Sequence, residues 1–251
     1  GIKLWAFLTS LVPADKMREV ALYGTEVVKV TGTYDQAKEI AAAFAGHRGL
    51  YMDRGIRSIA ARQSMKTLAY EVCEQLGWLK DGWGKFHAPD WYVQAVSGGM
   101  GPLGAWRGFE ELYQMGLIDR LPKIAVIQAA GCAPMVSAFK AGRAEPDIVS
   151  QPNTHIATLA TGNPGIAYAQ LRQIILDHGG CMESVSDDES FRAMHVMAKM
   201  DGLSIEPAAA TAFAGLFKLI GLQVIKRTEI VVINCSGHTF PVEKELLGED
   251  W

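Results

Sequence analysis

Strand-like apolar runs and amphipathic helical runs alternate along nearly the whole chain, and this rhythm limits the fold more than any other feature of the sequence. β-Type runs are expected at residues 3–8, 25–30, 49–52, 91–96, 123–128, 181–185 and 229–234. Helical patterns fall between them at 13–23, 33–45, 64–76, 102–115, 134–141, 166–177, 186–200 and 208–220. Thr33-Tyr-Asp-Gln36 has the form of a capping box, and Ser186-Asp-Asp-Glu189 caps a second helix. Gly24 and Gly77 read as helix stops, and residues 78–90 as a turn-rich connection. Strand and helix in alternation predict parallel strands joined by right-handed crossovers, which is an α/β fold.

Composition narrows the function classes. Hydrophobic residues make up 49% and charged residues 20%, enough for a sizeable core. Lys and Arg (24) do not outnumber Asp and Glu (27), and no basic run is present, so nucleic acid is not an expected partner. The apolar stretch 124–139 is broken by Gln128, Gly131 and Pro134, and no run is long enough to span a bilayer. Cys73, Cys132, Cys181 and Cys235 form no C-x-x-C pair, and the six histidines share no ligand spacing. Free thiols in the reducing cytoplasm, with no metal centre, are the expectation.

The segment with chemical content is Ser97-Gly-Gly-Met-Gly-Pro-Leu-Gly104, between a predicted buried strand and a predicted helix. Glycines there let the backbone approach an anion, and the first N–H groups of a helix point at it with the helix dipole behind them. Pro102 suits the first helical turn, where its missing N–H is not needed. Gly99-Met-Gly-Pro-Leu-Gly104 also spells the dinucleotide fingerprint, which demands an acidic residue at the end of the next strand. That strand ends instead in Gln128-Ala-Ala-Gly131. A single phosphate fits better than a dinucleotide, and a tight turn without ligand remains the alternative.

The loop and its surroundings resemble the threonine synthases within the fold-type-II (tryptophan synthase β-like) pyridoxal-phosphate enzymes. The resemblance extends to Ser64-Met-Lys-Thr-Leu-Ala-Tyr-Glu71, Trp106-Arg-Gly-Phe-Glu-Glu-Leu112, Gly116-Leu-Ile-Asp-Arg-Leu-Pro122 and Gln128-Ala-Ala-Gly-Cys-Ala-Pro134. It continues through Thr161-Gly-Asn-Pro164, Glu206-Pro-Ala-Ala-Ala210 and Cys235-Ser-Gly-His238. It implies two domains of parallel-rich twisted sheets flanked by helices. Residues 1–62 would be the remainder of the smaller domain and 63–251 the larger, cofactor-phosphate-binding one.

What the resemblance implies for the site can be stated residue by residue. Ser97, Gly98, Gly99, Met100 and Gly101 would surround the phosphate of pyridoxal 5'-phosphate, mainly through backbone N–H groups. The family's loop carries asparagines and this one has none. Ser236 matches the residue whose hydroxyl meets the pyridine nitrogen; a hydroxyl there leaves the ring largely neutral, which suits elimination and replacement at the β or γ carbon. Arg54, Arg57 and Arg62 are candidates for clamping a substrate phosphate or carboxylate, although Arg62 is one place off the family's arginine and the family's Asn-Ser pair is absent.

The Schiff-base lysine, which in the family sits in a Ser-Phe-Lys-Asp type motif, has no counterpart here; Lys66 matches a different family lysine. The chain also opens without Met and inside a predicted strand, and the expectation is a C-terminal part of a longer enzyme. The intact reaction implied is conversion of O-phospho-L-homoserine to threonine by a homodimer acting on a small amino-acid substrate, with this chain alone inactive. Rival readings are a serine/threonine dehydratase, a β-replacement enzyme, or a non-catalytic homologue.

Overall fold

The computed structural model describes residues 2–53 and 55–238. They fall into two compact units, one of residues 2–53 with His238 and the other of residues 55–237. In the first, β1 (Trp5–Thr9) and β2 (Glu26–Val30) pair in parallel, with Trp5 facing Glu26 and Thr9 facing Val30. The crossover between them is α1 (Ala14–Leu22), and α2 (Tyr34–Arg48) follows β2. Phe44 of α2 packs against Trp5 and Phe7, with ring centroids 4.8 and 5.3 Å apart. The capping box forms as expected: the Gln36 N–H donates to the Thr33 hydroxyl, and the Thr33 N–H donates to the Gln36 side chain at 2.8 Å.

Gly49 caps α2 in the left-handed conformation (φ 63°), so the chain leaves the helix directly into irregular structure. The strand expected at 49–52 is therefore absent. Its few apolar residues form the exit from a helix instead.

The second unit is built on four parallel strands in the order β5 (Gly180–Val185), β4 (Lys123–Ala129), β3 (Trp91–Ala95), β6 (Val231–Ile233). Residues of β4 alternate between two cores, as side chains on a pleated strand must. Ile124 and Val126 join the larger core, with residues of α4 (Lys66–Asp81), α5 (Met100–Gln114), α6 (Pro134–Lys140) and α7 (Ala167–His178). On the opposite face, Ile127 lies against Gly215 of α9 (Pro207–Gly221), and Ala129 packs with Ala208. α8 (Asp187–Asp201) packs on α9, where the Ser190 and Thr211 hydroxyls meet at 2.9 Å inside the interface. Helices on both faces of a parallel sheet make the α/β architecture read from the sequence.

Two helical details differ from expectation. A six-residue helix, α3 (Ile59–Ser64), precedes α4; it is too short to show a periodic signal. α4 also runs through Gly77 to Asp81 and ends at Gly82 (φ 97°). Gly77 is needed for another reason: a Cβ there would collide with the Lys85 carbonyl oxygen and stand 2.7 Å from the Phe86 nitrogen. The glycine that looked like a stop is the place where the returning chain crosses the helix.

None of the four cysteines forms a disulfide among the described residues. Burial pushes the Cys73 thiol up to about 12, and burial together with the Glu183 carboxylate does the same for Cys181.

Candidate functional site

Parallel strands bring their carboxyl ends to one edge of the sheet, and the loops leaving that edge are where α/β sheets bind ligands. β3 ends at Ala95, and Val96 continues the pairing by donating its N–H to the Ile127 carbonyl at 2.8 Å. The glycine loop begins immediately afterwards. Gly99 (φ 79°, ψ 10°) is in the left-handed region and serves as the N-cap of α5, with no side chain capping the helix. Among the described residues, the N–H groups of Ser97, Gly98, Gly99 and Met100 find no acceptor. A Cβ on Gly98 would have nothing within 4 Å, whereas one on Gly99 would press on Leu171 Cδ1 at 2.9 Å and Met135 Cε at 3.0 Å. The loop is thus walled by packed side chains beneath Gly99 and open at Gly98. Its unpaired donors and the positive end of a 15-residue helix meet in one place.

The helix behind the loop is held firmly. Gln94 of β3 lies against Gly101, and the Tyr92 hydroxyl donates to Gln94 Oε1 at 3.0 Å. Gly104 and Gly108 have no room for side chains because Met65, the Arg62 carbonyl, the Lys66 carbonyl and Ala69 occupy that space. One turn further, Glu111 receives both the Lys66 ammonium and the Tyr70 hydroxyl of α4. The Lys66 hydrogen bond, with that of Tyr70, holds the Glu111 carboxyl below its usual range, and the bond to Glu111 raises Tyr70 to about 12.

β6, the neighbour of β3, contributes the second wall of the edge. Val93 faces Ile233, and Asn234 extends the pairing with an N–H bond to the Val93 carbonyl at 3.0 Å. Ser236 comes two residues after Asn234, just past this edge of the sheet. Ser236 is exposed, and the turn after it is fixed by Glu206, the N-cap of α9. The Glu206 N–H donates to the Gly237 carbonyl at 3.2 Å, and the Glu206 side chain fills the space a Cβ on Gly237 would need. β4 contributes Gln128, completely buried, whose Oε1 accepts from the N–H groups of Met135 (2.9 Å) and Val136 (3.2 Å).

The sequence of residues 1–237 matches the family described as pyridoxal-phosphate dependent enzyme. The chain belongs to that family. A threonine synthase of Methanocaldococcus jannaschii is 34% identical over 230 residues, which is 90% of this chain and 54% of that protein. One of Methanosarcina acetivorans is 31% identical over 243 residues, or 95% and 58% of the two chains. The chain therefore spans little more than half the length of these relatives. Among solved structures, a fungal L-serine ammonia-lyase from Rhizomucor miehei superposes with a TM-score of 0.76 at 17% identity, covering 95% of this chain and 70% of that one. The processed threonine deaminase isoform 2 of Solanum lycopersicum gives 0.72 at 21%, covering 96% and 60%.

The family's cofactor is pyridoxal phosphate, and the residues present fit its phosphate: a helix N-terminus with unpaired donors and an unobstructed Gly98. Of the residues singled out from the sequence, Ser97, Gly98, Gly99, Met100 and Gly101 lie together in this loop and the first turn of α5. Ser236 follows the adjacent strand, three residues beyond the end of β6. Gly101 differs from the others in that its Cα lies against Gln94, so it serves the packing of α5 on β3. Arg62, at the end of α3, is half-buried with its backbone against the second turn of α5 and a buried Nε that has no acceptor among the described residues. Arg57 is exposed on the 3-10 turn before α3, and Arg54 lies outside the described residues. Gln94, Gln128 and Glu206 support the edge and were not singled out. A signal for Gln128 was available, since an amide at the end of an apolar strand is out of place in a buried run.

Proposed function

We propose that this chain forms the cofactor-phosphate half of a threonine synthase-like lyase that converts O-phospho-L-homoserine and water to L-threonine and inorganic phosphate. The observation that carries the reading is the run of unpaired N–H groups from Ser97 to Met100 at the head of α5, open at Gly98. Similarity to threonine synthases supports the substrate. When bound, the cofactor supplies an electron sink for charge developing on the amino acid's carbons.

The chain's own residues then have separate tasks. The loop N–H groups anchor the phosphate ester, and the α5 dipole favours its charge. Ser236 offers a hydroxyl, in place of a charged partner, to the ring nitrogen. Arg62 and Arg57 hold the substrate's phosphate or carboxylate through guanidinium forks. The family's Schiff-base lysine motif has no counterpart among these 251 residues, so the chain by itself retains cofactor weakly and does not turn over.

A dehydratase acting on serine or threonine is the second reading, favoured by the departures around Arg62 from the synthase pattern. The deciding assay uses the native protein purified from its source. Equal amounts of phosphate and threonine released from O-phospho-L-homoserine support the synthase. Ammonia from L-serine or L-threonine without phosphate release supports the dehydratase, and neither product from cofactor-loaded protein refutes both.

A further inference from the structure

Gln128 is a buried side chain whose hydrogen-bonding capacity is half used. Its relative exposure is 0%, its Oε1 accepts from Met135 and Val136, and its Nε2 is buried with no partner among the described residues. The two N–H donors fix the orientation of the amide, because a flipped amide would set its NH2 group against them. The unpaired donor is therefore the NH2 group, and it does not point at these two N–H groups. Such a group carries a desolvation penalty that an acceptor removes, and in a built protein interior an orphan of this kind calls for a physical reason.

Its surroundings supply one. Ala95 pairs with Ile127, and the ladder continues through the Val96 N–H, so Gln128 stands in the same cross-strand row as Val96, the residue that opens the glycine loop. Met135, which Gln128 holds by its N–H, is also the residue whose Cε closes under Gly99. One amide thus connects to the floor of the loop through its oxygen and keeps a donor free at the level where the loop starts.

We infer that Gln128 is a binding residue for the anion held by the glycine loop, its Nε2 donating to an oxygen of the phosphate ester while its Oε1 fixes Met135 beneath Gly99. The inference rests on the loop being the phosphate cradle, and the experiment separates the two. Dissociation constants of the 251-residue chain are measured for pyridoxal phosphate and for pyridoxal, which lacks the phosphate, in the unaltered chain and in Gln128→Glu. Glutamate keeps an acceptor for Met135 and Val136 but replaces the donor with a second, negatively charged oxygen.

The expected result is a preference for pyridoxal phosphate in the unaltered chain that falls at least about tenfold in Gln128→Glu, with pyridoxal affinity little changed and a melting temperature lowered by the buried carboxylate. An undiminished preference in the variant overturns the role of Gln128 alone. Absence of any preference in the unaltered chain overturns the cradle and with it this inference. Should the variant fail to fold, a crystal of the unaltered chain soaked with pyridoxal phosphate decides: a phosphate oxygen within hydrogen-bond distance of Nε2 supports the assignment, and a protein carbonyl or a water there instead refutes it.

Discussion

The two glycines at the turn of the loop have opposite reasons for lacking a side chain, and replacing each with alanine separates them. At Gly99 the backbone is left-handed (φ 79°), which costs an alanine about 1–2 kcal/mol. Its Cβ would also meet Leu171 Cδ1 at 2.9 Å, Met135 Cε at 3.0 Å and Ala167 Cβ at 3.2 Å. Crowding of that kind in a packed core costs about 1–3 kcal/mol. Reduced freedom of the unfolded chain returns about 0.4–1 kcal/mol, so Gly99→Ala should lose about 2–4 kcal/mol. For a chain of this size that is a fall in melting temperature of about 5–15 °C. Gly98→Ala meets no atom within 4 Å and needs no left-handed conformation, so its stability should stay within about 0.5 kcal/mol of the parent. Its methyl group would nevertheless stand among the unpaired N–H groups and weaken pyridoxal phosphate binding by at least about tenfold, a loss of about 1.4 kcal/mol. Thermal and urea unfolding measure the first effect, and equilibrium dialysis with pyridoxal phosphate the second. A Gly98→Ala chain that binds like the parent would falsify the cradle. A Gly99→Ala chain as stable as the parent would refute the packing argument.

Two further outcomes follow from groups away from the loop. Gly77→Ala should be less stable by about 1–3 kcal/mol in urea unfolding despite the roughly 1 kcal/mol that alanine gains in helix propensity, because the obstacle is the backbone of Lys85 and Phe86; an increase in stability would show that residue 77 acts only through propensity. Burial would raise the Glu183 carboxyl, but Lys140 (2.6 Å), the Ser184 N–H (2.8 Å) and Lys218 (3.2 Å) outweigh it and hold it below its usual range. A carboxyl whose folded pKa is depressed stabilises above its unfolded value, about 4.3, and loses that contribution as pH falls through the folded value. Glu183→Gln should therefore cost about 1–3 kcal/mol at pH 7, with the gap to the parent closing progressively below about pH 4. A gap that stays constant down to the acid transition would rule out the charged network as its source.

The strand–helix rhythm was readable because it depends on local patterning, and so were the capping boxes at Thr33 and Ser186, where side chain and backbone lie three residues apart. What escaped the sequence depends on distant parts of the chain. Gly77 resembles any helix-ending glycine until the Lys85 carbonyl arrives against it. Arg62 gains its place from the packing of α3 on α5, across about forty residues of chain. Glu206 looks like an ordinary helix start until the Gly237 turn, which follows β6, settles on it. The site residues proposed in the loop are contiguous, so a sequence can name them together; the residues that hold that loop in place are scattered along the chain.

The same distinction changes how the glycine motif itself should be read. Of its glycines, Gly99 makes the turn and Gly98, just before the formal pattern, leaves the anion room. Gly101 and Gly104 face Gln94 and Met65, and Gly108 continues their line against Lys66 and Ala69. Residues 101, 104 and 108 share a helix face by their spacing of three and four, and Glu111 ends the same stripe with Lys66 and Tyr70. The literal match to a dinucleotide fingerprint thus combines two unrelated demands, a tight turn before a helix and a small-residue face against α4 and β3. The second demand serves the first. A helix held this closely along one face has little freedom to slide, so the unpaired N–H groups at its head keep a fixed position, and their electrostatic value to an anion depends on that preorganisation.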